Sequence, residues 1–312
     1  MKKEILDEVI ACMSEERTLF HYFKGQYAFF LLFCATKEQC SVNAIKQSQF
    51  QHLLNQPDIK SLLLHHGHGK LKPELFEHTW KETSQPFVLT VDRWGNSNRW
   101  DYQTTRKGCN LVLQLNFSEK HNRAYHRLVK PDDDYIFNYN GHPVMDRNKR
   151  TLYRDTLAWA RIDFDLDSNE ALIEEIQSDW VRSVLHCLKG IKIGSTPWHL
   201  EWCNCKQEAF ITYAEKVLAP FYNIWSEAML TAAIRFIYTE LGIRKIYYHT
   251  HETGQRIKRV FGGSPPRSIY SDLPRKFCFQ ITNEDPEFIK TDRGFKRKKH
   301  NLKQVEWYKL AL

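Results

Sequence analysis

Residues 157 to 180, LAWARIDFDLDSNEALIEEIQSDW, end in polar groups where a strand ought to stay apolar. Alternation along a strand puts Glu175, Gln177 and Asp179 on one face and Leu172, Glu174 and Ile176 on the other. A second polar run, His249, Thr250, His251 and Glu252, ends the strand-like IRKIYYHT. Side by side, the two strand ends would converge where open α/β sheets bind ligands. A carboxylate that orients a histidine ring and fixes its tautomer makes a workable general base. The candidate acid–base residues are therefore Glu175, Asp179, His249 and Glu252, with Gln177, Trp180, Trp225, Thr253 and Gln255 as ligand contacts. The competing structural role has Trp180 and Trp225 packing together while Asp179 or Gln177 satisfies free N–H groups at a helix start.

Other clusters offer different chemistry. His186, Cys187, His199, Cys203 and Cys205 are enough ligands for zinc in number, but the C-x-C spacing reads as buried thiols, and no metal is expected. HHGHG, with His65, His66 and His68, reads as an exposed turn. KTDRGFKRKKHNLK, residues 290 to 303, sets seven Lys or Arg against one Asp, so this segment supplies +6 of the chain's +8 and leaves the body close to neutral. Lys296, Arg297, Lys298 and Lys299 there could bind phosphates, and Trp94, Arg99, Trp100 and Tyr102 could stack on bases. The same basic run also reads as a solvated tail. GGSPPR could cradle a phosphate with Arg267, or simply turn the chain.

These side chains need a scaffold. Residues 1–85 read as a helical N-terminal region, from the helix-spaced apolar residues of EILDEVIACM and IKQSQFQHLLNQPDIKSLLL. From Pro86 to residue 289 the texture is mixed. FVLTVDRW and NLVLQLNF read as strands, and RLVKPDDDYIFNYNGHPVMDRNKR reads as a long loop. TLAWARIDFDL and ALIEEIQSDW form a hairpin across DSNE. IWSEAMLTAAIRFIYTELG reads as a helix, capped by Ser226 and closed by Gly242. After it come the strand IRKIYYHT, the helix TGQRIKRVF and two strands, SIYSDL and KFCFQIT. Residues 290–312 read as a basic C-terminal tail.

The 312 residues are 42% apolar, ample for a core. The most apolar run, YAFFLLFCA, falls far short of the roughly 20 residues that cross a bilayer, so no membrane partner is expected. No stretch has the make-up of a secretory leader, and the eight scattered cysteines read as reduced thiols of a cytoplasmic protein.

The order of strand, long helix, strand ending in a polar crevice, short helix and final hairpin resembles the C-terminal half of GNAT acyltransferases. That resemblance implies acyl-coenzyme A as donor, with its pyrophosphate at the start of the helix in AMLTAAIRFIYTELG. One departure bears directly on coenzyme A: the residues before Ser226, LAPFYNIW, lack the family's Gly-rich loop. EIQSDW (175–180), PFYNIWSE (220–227) and HTHETGQ (249–255) are also similar to an uncharacterised module of the large polyvalent proteins of phages and mobile elements. No activity comes with that second likeness.

Together these readings predict an α/β (α+β) protein: a helical N-terminal region packed on a mixed, largely antiparallel sheet whose C-terminal half is GNAT-like. The leading functional expectation is an acyltransferase with a polar crevice at Glu175, Gln177, Asp179, His249 and Glu252. Its rival is a non-catalytic nucleic-acid-binding protein of mobile-element or phage-related origin, held to its partner by Lys296 to Lys299.

Overall fold

The computed structural model describes residues 1–312 apart from 14–17, 39–40, 66–68, 78–79, 96–102, 147–152, 259–265, 301 and 303. Several expectations fall outside the described residues: His66 and His68, the stacking set Arg99, Trp100 and Tyr102, and most of GGSPPR. The fold is mixed α/β. One eight-stranded sheet runs in the order β1-β2-β3-β4-β5-β6-β8-β7, with β1 Thr18–Tyr22, β2 Gln85–Trp94, β3 Asn110–Phe117, β4 Thr156–Asp165, β5 Glu170–Gln177, β6 Lys245–His249, β7 Gln280–Thr282 and β8 Trp307–Ala311. All pairs are antiparallel except β5 with β6.

The N-terminal region supplies α1 (Lys3–Cys12), α2 (Gln26–Glu38), α3 (Val42–Lys46), α4 (Pro57–His65) and α5 (Glu74–Glu77), but also the edge strand β1. Between β3 and β4 lies α6 (Glu119–Val129), followed by an irregular stretch where a long loop is expected. The crossover from β5 to β6 carries α7 (Asp179–Lys192), α8 (Gln207–Thr212), a π-helical turn (Tyr213–Leu218), α9 (Ala219–Tyr222) and α10 (Trp225–Thr239). After β6 come α11 (His251–Lys258), α12 (Asp272–Lys276), α13 (Glu287–Lys290) and α14 (Arg293–His300).

Burial explains the sequence texture. Every residue of β3 and nearly every residue of β4 is buried: Leu111, Leu113 and Leu115 face the main core with α10, while on the other face Val112 and Trp159 pack with Tyr135 and Val144 of the irregular stretch after α6. Ile173, Ile176, Ile246 and Tyr248 join the main core with α2 and α10, whereas Leu172 and Tyr247 join Ile257, Phe288, Ile289, Phe295 and Trp307 beneath α11, α13 and α14. Among the described residues no helix is long and apolar enough to cross a membrane.

Three local expectations change. SIYSDL is not a strand: Arg267–Tyr270 is a 3-10 turn and α12 follows, which lets Ile269, Tyr270 and Leu273 all face the core. Residues 290–312 are not a detached tail, since Phe295 of α14 is buried and β8 is hydrogen-bonded between β6 and β7. The closing hairpin therefore pairs β7 with a strand contributed by the last residues of the chain. Ser226 lies inside the first turn of α10, whose N-cap is Ile224 with no side-chain cap; Gly242, with φ +68°, does occupy the left-handed position after that helix.

Candidate active site

The parallel pair is in register only from Glu170↔Lys245 to Ile173↔Tyr248. Beyond it β5 runs on for four residues and β6 for one, so their C-terminal ends separate. A bulge makes the break sharper. Arg161 pairs with Glu175 while the next residue, Ile162, pairs with Ile173, which leaves Glu174 as an extra residue on β5. Such an insertion interrupts two-residue alternation. Residues paired across strands share a face, so Leu172 (opposite Asp163) and Glu175 (opposite Arg161) lie on the same side. Glu174 and Glu175 consequently join one buried network instead of facing opposite ways.

Glu174 and His249 are both fully buried. The Glu174 carboxylate accepts from the Thr105 backbone N–H at 2.8 Å, the Thr105 hydroxyl at 2.8 Å and His249 Nε2 at 3.1 Å. Behind it Lys258 Nζ donates to the Glu174 main-chain oxygen at 2.6 Å. Glu175 bonds the buried Arg161, whose guanidinium also reaches the Gln103 carbonyl at 3.2 Å and lies over the Trp94 ring. Burial on its own would raise the Glu174 carboxyl. The hydrogen bond from His249 and the charges of Lys258 and Arg161 more than offset it and bring Glu174 down to about 2. For His249 burial dominates and lowers the ring, so it stays neutral.

A cavity of about 680 Å³ opens where the strands part. Its walls include Glu175, Ile176 and Gln177 of β5, Ser178, Val181 and Arg182 at the start of α7, and Trp225 and Ser226 at the start of α10. His142, from the NGHPV segment of the long loop, borders it too. His142 Nδ1 meets Asp179 Oδ2 at 2.6 Å. The carboxylate can only accept, so Nδ1 carries the proton and Nε2 is left as the basic nitrogen. Asp179 is itself fixed by Gln177 Nε2 at 2.5 Å and by Arg182 Nη2 at 2.6 Å, both on Oδ1. It sits in the first turn of α7, where the helix dipole favours an acid, after a Ser178 cap that accepts from Val181 N. With its side chain 25% exposed, His142 is the member of this pair that a ligand can touch.

The expected residues thus divide. Glu175, Gln177, Trp225 and Gln255 line the cavity, and Asp179 orients a histidine beside it. The histidine is His142 in place of His249, because the bulge gives His249 to Glu174. Glu252 is exposed and does not border the cavity: Thr250 Oγ1 accepts from Thr253 N at 3.3 Å and starts α11 there, turning Glu252 to solvent. Thr253 is tied up, its hydroxyl accepting from Glu306 N at 3.1 Å. Trp180 is core: it is 1% exposed, bonds the Tyr213 hydroxyl at 2.6 Å, and packs edge-on against Phe117, Tyr125 and Phe137. Of the basic run, Lys298 donates to the carbonyls of Thr104 and Thr105 and Lys299 pairs with Asp285, while Lys296 and Arg297 are exposed. Among the described residues no group of three or more His, Cys, Asp or Glu could hold a metal ion. Sequence reasoning missed His142, Arg161, Thr105 and Lys258. Only the lone His–Pro in a polar loop was a signal for any of them.

Comparison with protein-family models, curated proteins and solved structures finds no match.

Proposed function

We propose that this cavity is the reaction site of a group-transfer enzyme of the acyltransferase kind, with His142 as general base and Asp179 as its orienting carboxylate. The observation that carries the reading is the 2.6 Å His142–Asp179 pair beside a cavity of about 680 Å³ at the diverging ends of a parallel strand pair. An antiparallel meander, one parallel pair and a reversed final pair of strands also resemble the GNAT arrangement. A coenzyme A phosphate has no Gly-rich loop to meet, and the amino end of α7 is taken by Ser178 and Asp179. The amino end of α10 carries no side-chain cap, however, and Trp225 and Ser226 border the cavity. Its first-turn N–H groups, with Arg182 at the rim, would hold the phosphates. Bound there, an acyl thioester supplies an electrophilic carbonyl.

In this account Nε2 of His142 takes the proton from an incoming amine or hydroxyl as that group attacks. Asp179 steadies the imidazolium that results. Aromatic walls from Trp225, Tyr222 and Tyr270 exclude water. The test is turnover of acetyl-coenzyme A with a panel of amines, followed by chromatographic release of the free thiol. His142→Ala should lower the rate by about 10²–10⁴ while leaving the fold intact. No turnover with any acceptor, or a His142→Ala protein as active as its parent, would count against the reading. The rival, nucleic-acid binding, would draw on Lys296 and Arg297, both exposed on α14.

A further inference from the structure

The two edges of the sheet are protected unequally. An edge strand offers a row of unpaired N–H and C=O groups, which proteins guard by shortness, charge, proline, a bulge or a covering element. β7 is guarded by shortness, at three residues. β1 lacks these guards: TLFHY holds no Lys, Arg, Asp, Glu or Pro, and its five residues pair with β2 without a bulge. Among the described residues no backbone hydrogen bond reaches β1 from any element except β2. The side chains at this edge are also open. Phe20 and Tyr22 turn into the core, whereas Leu19 and His21 lie on the opposite face, where Leu19 is 66% exposed. Trp80, 64% exposed, sets its ring edge-on to His21 at 4.9 Å. A cavity of about 1160 Å³ opens beside the same strand, with Leu19, His21 and Trp80 in its wall.

We propose that β1 is the contact strand of a homodimer, pairing antiparallel with β1 of a second copy across a two-fold axis. A two-fold pair that keeps all five residues in the ladder is centred on Phe20. Thr18 then stands opposite Tyr22 of the second copy, and Leu19 opposite its His21. Side chains so placed are about 4.5–5.5 Å apart at Cβ. Leu19 of each copy therefore lands beside the His21–Trp80 pair of the other, and the contact occurs twice. One operation covers both exposed apolar side chains of this edge, and no like charges meet within the ladder. That self-complementarity selects a second copy over a foreign strand. A five-residue ladder with two such contacts is small for an interface, so the dimer is weak and reversible, dissociating at about 1–100 µM. β1 lies at the far edge of the sheet from β6, β7 and β8, and the dimer does not depend on the chemistry proposed at the ends of β5 and β6.

The experiment is sedimentation velocity on the full chain in reducing buffer, from about 1 to 300 µM. The weight-average mass should rise from one chain toward two. Leu19→Lys, which puts a charge on the edge and keeps its urea midpoint, should weaken the dissociation constant at least about tenfold. Register is read separately, by mild oxidation of Leu19→Cys mixed with His21→Cys and peptide mapping of the products. Position 19 should be linked to position 21 between chains, and 19 to 19 or 21 to 21 far less. A monomer throughout the range, a dimer that Leu19→Lys leaves equally tight, or a dimer without the 19–21 link would each overturn the proposal.

Discussion

Replacing Glu174 with Ala should be among the most damaging single changes in this protein, although the residue does not line the cavity of about 680 Å³. The carboxylate accepts three hydrogen bonds, two from Thr105 and one from His249, in a fully buried place. Truncation strands the Thr105 N–H and the His249 ring, each costing about 1–3 kcal/mol when no partner remains. It also leaves Arg161 and Lys258 with Glu175 as the nearest counter-charge, and breaking one member of a buried charged set costs about 3–5 kcal/mol. The two estimates describe overlapping losses, so about 3–5 kcal/mol is the expected total. Urea unfolding at neutral pH, followed by tryptophan fluorescence, measures it as a lower midpoint at unchanged slope. Glu174→Gln, which keeps the shape and one acceptor, should lose less. A Glu174→Ala protein destabilised by under about 1 kcal/mol would refute the reasoning, because neither orphaned donors nor unbalanced charge could then be buried there.

Acid should weaken the fold in two stages. Burial lowers both His121 and His249, His121 to about 3, so from roughly pH 6.5 downward the unfolded chain takes up protons the folded one refuses. Glu174, held down to about 2, adds a further loss once the pH drops below roughly 4.3, where the unfolded carboxylate protonates. Urea midpoints that stay flat between neutral pH and pH 5 would contradict the first stage. Trp180→Ala should cost about 3–5 kcal/mol through its emptied core site, whereas Trp225→Ala, at the cavity wall, should cost markedly less in the same titration. Changing the exposed Lys296 to Glu should move stability by no more than about 0.5 kcal/mol. Loss of a salt-dependent association with single-stranded DNA in that variant would instead revive the rival function.

The architecture was legible where one physical signal dominated. The β4–β5 hairpin announced itself by two apolar runs around DSNE, and α10 by its Ala and Leu content and by Gly242. The polar end of β5 was legible as a site for the same reason: buried strands do not spend Glu, Gln and Asp without partners. The partners were not legible. Alternation assigned Glu174 and Glu175 to opposite faces, and only the Arg161 pairing reveals the extra residue that puts them together. His142 belongs to a loop without periodicity, and nothing in NGHPV ties it to an aspartate 37 residues later. Basic residues 290–303 looked like a tail because charge hid Phe295 and Leu302, which pack on or beside the core beneath α11. Trp180 is ambiguous for the opposite reason, since a tryptophan at a strand end looks equally suited to a ligand and to a core.

A reaction site of the acyltransferase kind requires that the cavity between the ends of β5 and β6 hold an anionic acyl donor against the start of α10. Titrating acetyl-coenzyme A calorimetrically into the parent protein and into Ser226→Trp, which fills the cavity beside those N–H groups, tests it most directly. Saturable binding to the parent is expected, with a melting temperature that rises as ligand reaches about 100 times Kd, worth ~2.7 kcal/mol, and no binding to the filled variant. Equal binding by both proteins, or none by the parent at about millimolar ligand, would contradict it.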